Sequence, residues 1–331
     1  MIKKLKIITL LPATFLLFSC GNKANSQDNM AANSPLSNRT VSKPYTINTK
    51  ISDVINDSIF GDYGRLIFPV NSGYYSGDTL GNLRLTWYNN INPAKTVEIT
   101  NYMKEHAEAG ETIFYDIYTE EEKLANPQKA NTGLFFFKGK SGEKFAVCSA
   151  GGGYAYVGAM HDSFPHALEL SKMGYNAFAL IYRPNLQMAC EDLARAISFI
   201  FNHANELEID TNGYSLWGGS AGGRMAAWLG SYGTTAFGER DLPRPRAVII
   251  QYTGHIDYSK NEPPTYACVG EKDRISNWQM MERRIKNISA LGIPTEFHKY
   301  PNLGHGFGLG IGTEAEGWIN EAVAFWERQI K

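Results

Sequence analysis

The chain has 331 residues, of which 43% are hydrophobic and 20% are charged, and its formal net charge at pH 7 is −1. This composition is ordinary for a globular protein, and a chain of this length can bury one large core. No basic cluster occurs beyond the first few residues, which argues against nucleic acid as a partner.

The N-terminal residues have the pattern of an export signal. Lysines at the start precede an apolar run at residues 7–18. The run is shorter than the ~20 residues that a bilayer-spanning helix needs, and it suits the hydrophobic part of a secretory signal. It ends in Leu17-Phe18-Ser19-Cys20, which resembles the lipobox of bacterial lipoproteins. That resemblance implies cleavage before Cys20 and a lipid on its side chain.

We therefore expect a signal peptide at residues 1–19 and an exported protein held to a membrane by lipid at Cys20, on the periplasmic side or at the cell surface. Residues 20–44 are polar, rich in Asn, Ser and Ala, and show no hydrophobic period. Such a segment cannot bury a core, and it predicts a flexible tether between the membrane and the domain.

Residues 45–108 contain many Gly, Asn, Asp and Tyr and one predicted helix, at 97–106. We interpret them as an N-terminal extension packed on the core and not as a separate domain. Some of its aromatic residues are candidates for a sugar-binding rim, although packing is the favoured interpretation. They are Tyr74, Tyr75, Trp87 and Tyr88.

From residue 109 to residue 331, short apolar segments alternate with segments of helical period. The predicted strands are 112–118, 133–138, 145–148, 176–182, 214–217, 247–251, 265–269 and 295–300. The predicted helices are 163–172, 189–205, 221–229, 277–291 and 314–330. This alternation predicts an α/β domain with a doubly wound, mainly parallel sheet, whose apolar strands are buried on both faces.

The remaining cysteines, Cys148, Cys190 and Cys268, lie among apolar residues and are predicted to be buried hydrophobic side chains. No pair of cysteines or histidines has the spacing of a metal site, so neither a metal nor another cofactor is expected.

A predicted strand, a G-x-S-x-G sequence and a predicted helix follow one another at residues 214–229. The motif consists of Gly218, Gly219, Ser220, Ala221 and Gly222. A serine on a sharp strand-to-helix turn has strained dihedral angles, and the flanking glycines prevent clashes. The helix N-terminus also stabilises negative charge that develops nearby. This context makes Ser220 a candidate nucleophile.

Upstream, a predicted strand leads into Ala150 and three consecutive glycines, Gly151, Gly152 and Gly153. Glycines let backbone N–H groups approach a ligand without interference from a Cβ atom. We interpret these glycines as a loop that can bind an oxyanion through its N–H groups. A phosphate-binding loop is a weaker interpretation of the same residues, because no G-K-[ST] sequence follows.

A serine nucleophile needs a base, and the base needs an acid to orient it. The strand at 265–269 is followed by Glu271 and Asp273, and the preceding strand is followed by Asp257. Asp273 is our choice, and the other two acids remain alternatives. The loop after the strand at 295–300 contains His305 between glycines, which suits a mobile base.

The glycine loop, Gly-Gly-Ser-Ala-Gly, the Gly-x-x-Asp at 270–273 and the His-Gly-Phe at 305–307 together resemble the α/β-hydrolase superfamily. The most similar branch is that of bacterial esterases and lipases of the acetyl xylan esterase and feruloyl esterase type. The resemblance covers about two thirds of the chain, and it implies a carboxylic ester as substrate and no cofactor.

The resemblance also implies the roles of the residues. Ser220 would be the nucleophile, His305 the general base and Asp273 the acid that orients the imidazole. The oxyanion would be bound by N–H groups of Gly152, Gly153 and Ala221. This chain departs from the family pattern at Ala150, which stands where the family's oxyanion loop has histidine.

Three functions remain open. The first is a carboxylesterase that acts on a small-molecule or carbohydrate ester, and the carbohydrate part depends only on the resemblance. The second is a serine peptidase on the same fold, and the third is a non-catalytic, ligand-binding lipoprotein. The oligomeric state cannot be inferred from the sequence.

Overall fold

A computed structural model of the protein describes residues 43–88 and 91–331. The predicted signal peptide at 1–19, the predicted lipid attachment at Cys20 and the tether up to residue 42 lie outside the described residues. Within the described ranges, none of the helices combines the length and the apolar character that crossing a membrane requires.

The described residues form two sheets. The strands are β1 (Tyr75–Ser76), β2 (Arg84–Leu85), β3 (Phe114–Tyr115), β4 (Gly133–Phe137), β5 (Lys144–Ser149), β6 (Asn176–Ile181), β7 (Asp210–Gly219), β8 (Ala247–Gln251), β9 (Thr265–Gly270) and β10 (Thr295–Tyr300). The first two pair with each other. The other eight form one sheet in the order β10-β9-β8-β7-β5-β6-β4-β3.

The large sheet is mainly parallel. Strand β4 runs antiparallel to both of its neighbours, β3 and β6, whereas the pairs from β6 to β10 are all parallel. Every residue of β4, β6, β8 and β9 is buried, as expected for strands covered on both faces. The predicted doubly wound α/β fold is confirmed.

The described residues also form α-helices, several of which pack on this sheet. They are α1 (Ile51–Ile55), α2 (Pro93–Glu108), α3 (Glu120–Ala125), α4 (Ala159–Asp162), α5 (Phe164–Lys172), α6 (Leu186–Asn202), α7 (Ala221–Tyr232), α8 (Trp278–Ala290) and α9 (Trp318–Ile330). Local sequence sets several of their N-termini. The side chain of Asn185 accepts hydrogen bonds at the start of α6, and Asn277 does the same for α8.

Some predicted boundaries differ from the observed ones. The strand predicted at 112–118 is only Phe114–Tyr115. The helix predicted at 314–330 begins at Trp318, because the preceding residue, Gly317, has the left-handed backbone conformation with φ 91°. Strand β10 lies at the edge of the sheet and is partly exposed, not fully buried like the interior strands.

The extension at 45–108 contacts the sheet domain at several points. The Lys95 ammonium lies 2.7 Å from the Glu169 carboxylate on α5, and Tyr88 Oη donates to Asp162 at 2.9 Å. Two residues on one face of α2, Ile99 and Met103, are buried. The boundary drawn at residue 108 remains a prediction.

Candidate active site

Ser220 lies on a sharp turn between β7 and α7, with φ 51° and ψ −115°. Positive φ is costly for a residue with a side chain, so the surrounding structure must hold it. The glycines of the motif let the neighbouring backbone segments approach closely enough to form this turn. A Cβ atom at Gly218 would lie 2.3 Å from the carbonyl carbon of Gly222, and one at Gly222 would lie 2.0 Å from the Ser149 carbonyl oxygen.

The structure brings His305 and Asp273 to Ser220. His305 Nε2 lies 3.0 Å from Ser220 Oγ, and His305 Nδ1 lies 2.8 Å from Asp273 Oδ2. The Asp273 side chain is fully covered, and the His305 side chain is mostly covered, with 9% of it exposed. The other oxygen of Asp273 accepts backbone N–H bonds from Ile275 and Ser276. The carboxylate is therefore held in one orientation toward the imidazole.

The alternative acids lie elsewhere. Glu271 forms an ion pair with Lys299 at 2.7 Å, and Asp257 accepts a hydrogen bond from Tyr232 Oη. Among the described residues, neither carboxylate forms a hydrogen bond or an ion pair with His305. Of the three acids that follow the strands, Asp273 is the one in hydrogen-bond distance of the imidazole.

The glycine loop lies against the serine. A Cβ atom at Gly151 would be 2.9 Å from the Ser220 Cβ. Within the described ranges, the N–H groups of Gly152, Gly153 and Ala221 have no protein acceptor. Ala221 directly follows the nucleophile in the chain, and Gly152 and Gly153 directly follow Gly151. The N–H groups of these three predicted donors are unshared within those ranges, and their role in binding an oxyanion remains a prediction.

Ala150, at the position where the superfamily that the sequence resembles has histidine, is buried, and its carbonyl oxygen accepts a hydrogen bond from Tyr182 Oη at 2.7 Å. Gly151 O accepts from the Gly158 N–H, which closes the loop on itself. The loop therefore keeps a defined geometry without the histidine, through Tyr182 at the end of the neighbouring strand.

Sequence reasoning missed Asp162, a fully buried carboxylate beside the site. Its Oδ2 accepts from the Gly151 N–H at 2.9 Å and from Tyr88 Oη at 2.9 Å, and its Oδ1 accepts from Tyr252 Oη. Burial and the nearby carboxylate raise the pKa of both tyrosines well above the usual value, so both hydroxyls stay protonated and donate. The sequence carries one weak signal, an acid placed between the glycine loop and an apolar helix.

Two cavities lie near the site. One of about 460 Å³ is lined by His305 together with His161, Lys95 and Phe307. A smaller one of about 210 Å³ lies among Tyr74, Tyr156, Tyr182 and apolar residues of the extension. The first borders the imidazole directly and has the size of a small-ligand site.

Trp87 stands at the edge of the glycine loop. Its side chain is 53% exposed, and a Cβ atom at Gly153 would lie 3.0 Å from its indole ring. Its φ of 71° is unusual for a residue with a side chain. An exposed aromatic ring held in a strained conformation beside the site is a candidate contact for substrate.

Arg183 and Asp192, considered as substrate ligands or as a structural pair, form a buried ion pair. Arg183 Nη2 lies 2.7 Å from Asp192 Oδ1, and Tyr118 Oη donates to the same oxygen at 2.6 Å. These contacts favour the interpretation of Arg183 and Asp192 as a structural ion pair over their interpretation as substrate ligands.

The three described cysteines are free and buried, and burial raises the pKa of the Cys190 thiol to about 12. Their thiols are therefore protonated at neutral pH. In the part of the chain that the structure describes, no group of three His, Cys, Asp or Glu side chains could hold a metal ion.

Comparison with known proteins agrees with this architecture. Residues 138–245 match the BD-FAE family model, which is of α/β-hydrolase type. The match includes the glycine loop and Ser220, and it ends before Asp273 and His305. None of the curated proteins has a sequence that matches this chain.

Several solved structures share the fold. An acetyl ester-xyloside bifunctional hydrolase from Caldicellulosiruptor lactoaceticus is 22% identical, with a TM-score of 0.57 over 65% of this chain and 95% of its own. A sugar hydrolase from Lactococcus lactis is 22% identical, with a TM-score of 0.52 over 60% and 94%. A thermophilic esterase from Thermogutta terrifontis is 19% identical, with a TM-score of 0.52 over 60% and 89%. The chain has the α/β-hydrolase fold.

Proposed function

We propose that this protein, which has the α/β-hydrolase fold, is a carboxylic ester hydrolase with Ser220 as its nucleophile. The observation that carries the proposal is the chain of contacts from Ser220 Oγ to His305 Nε2 at 3.0 Å and from His305 Nδ1 to Asp273 Oδ2 at 2.8 Å. A serine, a base and an orienting acid in hydrogen-bond reach are what nucleophilic acyl transfer requires.

In this mechanism, His305 Nε2 takes the proton of Ser220 as the hydroxyl oxygen attacks the ester carbonyl carbon. Asp273 accepts from His305 Nδ1, which fixes the tautomer and stabilises the imidazolium. N–H groups of Ala221, Gly152 and Gly153 donate to the oxyanion, and each such donor is worth about 10²–10³ in rate. His305 then protonates the leaving alcohol, and it activates the water that hydrolyses the acyl-enzyme.

The test is ester turnover by a protein that begins after Cys20. Ser220→Ala is expected to reduce kcat for p-nitrophenyl acetate at least about 10³-fold and to abolish labelling by a fluorophosphonate, because the attacking oxygen is lost. Ser231→Ala, which removes a buried hydroxyl further along the same helix, is the matched control and should keep both signals.

Two other results would contradict the proposal. Labelling of Ser220 with turnover of peptides but not of esters would indicate a peptidase. A folded wild-type protein that neither turns over esters nor reacts with the fluorophosphonate would indicate a ligand-binding protein without activity.

We further propose that the ester is carried by a carbohydrate. The support is that two proteins of the same fold are described as an acetyl ester-xyloside hydrolase and a sugar hydrolase, and that Trp87 exposes an aromatic ring beside the glycine loop. Aromatic rings offer a flat apolar surface on which a sugar ring can stack.

Trp87→Ala is therefore expected to raise KM for an acetylated xylo-oligosaccharide about 3–10-fold, the loss of roughly 1 kcal/mol of ring contact. KM for p-nitrophenyl acetate should change less than about 2-fold. Leu124→Ala removes another exposed hydrophobic side chain, on α3, and should alter neither value. Equal effects of Trp87→Ala on both substrates would contradict a sugar contact.

Finally, we propose that the protein is exported and lipid-anchored at Cys20. The support is the sequence alone: the basic start, the apolar run at 7–18 and the position of Cys20 directly after it.

A further inference from the structure

Three consecutive residues of the glycine loop have an unusual backbone conformation. Gly152, Gly153 and Tyr154 have positive φ in succession, at 127°, 60° and 60°. The last of them carries a side chain, for which this conformation is costly. Hydrogen bonds within the loop and contacts with surrounding groups must together hold such a segment. Its shape sets where the N–H groups of Gly152 and Gly153 lie relative to Ser220.

Besides Tyr182, the carboxylate of Asp162 fixes the start of this loop. It is fully buried, and its Oδ2 accepts at 2.9 Å from the Gly151 N–H, immediately before the two predicted oxyanion donors. All three side-chain and loop donors to it are neutral: Gly151 N–H, Tyr88 Oη and Tyr252 Oη. Hydrogen bonds to a carboxylate are about twice as strong as those between neutral groups, so the loss of one donor is felt by the others.

Tyr88, a residue of the N-terminal extension, donates a hydrogen bond to the same oxygen, Asp162 Oδ2. A Cβ atom at Gly151 would lie 2.1 Å from the Tyr88 hydroxyl oxygen and 2.9 Å from the Ser220 Cβ. The Tyr88 hydroxyl and the Ser220 side chain therefore both lie against Gly151, and a methyl group at this position would have no room.

The ring of Tyr88 also reaches the loop that carries the predicted base. A Cβ atom at Gly306, next to His305, would lie 2.7 Å from this ring. The ring packs against His161 at 4.6 Å between centroids, and His161 Nε2 lies 2.7 Å from Gly306 O. Tyr88 is 2% exposed. One side chain of the extension thus contacts both loops on which the proposed chemistry depends.

We infer that Tyr88 and Asp162 are positioning residues for the oxyanion-binding loop, and that the extension completes the active site by inserting Tyr88 beside Ser220. This inference rests on the proposed ester hydrolysis. Tyr88 donates to Asp162, Asp162 holds the Gly151 N–H, and the peptide groups of Gly152 and Gly153 are thereby aimed at the space in front of Ser220. Neither residue donates a proton to the substrate or accepts one from it.

The test is Tyr88→Phe, which removes only the hydroxyl. The expected result is a fall of about 10-fold in kcat/KM for p-nitrophenyl acetate, because Gly151 loses part of its constraint. The affinity for a trifluoromethyl ketone, which forms an anionic tetrahedral adduct with the serine, should fall by the same factor. A role confined to folding would lower thermal stability and leave both values unchanged.

The chain offers a matched control. Tyr118 Oη donates at 2.6 Å to the fully buried Asp192, a pair with the same sequence separation as Tyr88 and Asp162 and with its own partner, Arg183. Tyr118→Phe should keep kcat/KM and ketone affinity within about 2-fold of wild type. Asp162→Asn is the second variant, and it should lose about 100-fold in kcat/KM, since an amide cannot accept from all three donors.

The outcomes separate the two proposals. One outcome is that Ser220→Ala abolishes turnover, while Tyr88→Phe and Tyr118→Phe have the same kcat/KM and the same ketone affinity. This outcome would overturn the inference about Tyr88 and support the hydrolase proposal. If Tyr88→Phe does not fold, Asp162→Asn decides by the same ketone comparison. Absence of turnover and of fluorophosphonate labelling in the folded wild type would overturn both.

Discussion

At the level of single residues, the environment of Asp273 explains why this acid suits the role proposed for it. One oxygen accepts two backbone N–H bonds, from Ile275 and Ser276, and the other faces His305 Nδ1. The backbone bonds hold the carboxylate in place, so the imidazole is oriented by a group that cannot turn away. The Asp273 side chain is fully covered and the His305 side chain is mostly covered, so the charge interaction between them is weakly screened.

Asp273→Asn is accordingly expected to reduce kcat about 10⁴-fold, because the amide would favour the wrong imidazole tautomer. Steady-state kinetics with p-nitrophenyl acetate measure the effect, and circular dichroism checks that the fold is retained. Glu271→Gln is the control. It changes the neighbouring acid, which pairs with Lys299, and it should leave kcat within about 2-fold. A larger loss of kcat in Glu271→Gln than in Asp273→Asn would contradict the role proposed for Asp273.

The site residues were predictable from sequence to different degrees. Ser220 stands in a motif whose strand, turn and helix are adjacent in the chain, so its local conformation follows from nearby residues. Asp162 and Tyr88 were not singled out as a pair. Their hydrogen bond joins residues 74 positions apart, and no local pattern marks an acid that will accept from a distant tyrosine.

At the level of elements, the nucleophile turn depends on how closely α7 approaches β5. A Cβ atom at Gly222 would lie 2.0 Å from the Ser149 carbonyl oxygen and 2.7 Å from that of Ala150. Both are backbone atoms at the end of the strand that leads into the glycine loop. The distance between the serine and the loop is therefore set by the absence of a side chain at this position.

Gly222→Ala should consequently destabilise the protein by about 3 kcal/mol through overpacking, with a fall of roughly 6–12 °C in Tm. Esterase activity should fall as well, since the helix must move away from the loop. Gly254→Ala is the control, because a Cβ atom there would meet no atom within 4 Å and φ lies outside the left-handed region. Thermal unfolding of both variants measures the difference, and equal Tm values would contradict this account of the turn.

Element positions followed from hydrophobic periodicity better than element ends did. Strands β8 and β10 have the predicted bounds, because their apolar or extended character stops at turn residues. Helix α9 starts four residues later than predicted, at Trp318, because the stretch before it forms turns that end at Gly317. The short strand β3 depends on its antiparallel pairing with β4, and such pairing is decided by distant residues.

At the level of the whole molecule, the proposed export depends on residues 1–20, which lie outside the described residues. The lipobox-like sequence ends at Cys20, and the first described residue is Lys43. If lipid is attached at Cys20, the polar residues after it would separate the domain from the membrane surface.

The proposed lipid attachment at Cys20 can be tested by growing a bacterial host that expresses the protein with labelled palmitate. The full chain should incorporate the label, and Cys20→Ala should not, because the acceptor thiol is lost. Cys190→Ala provides a matched control, since that thiol is buried in α6 and should not be modified. Label retained by Cys20→Ala, or label absent from the full chain, would contradict the anchor.

Local sequence was sufficient for the alternation of strands and helices and for the turn that carries Ser220, because hydrophobic period and glycine placement act over a few neighbouring residues. Folding in three dimensions placed Asp273, and not the other two candidate acids, against His305, and it brought Tyr88 to Asp162 beside the glycine loop. Those contacts arise where separate loops meet at the ends of the strands, and their geometry depends on the packing of the entire sheet.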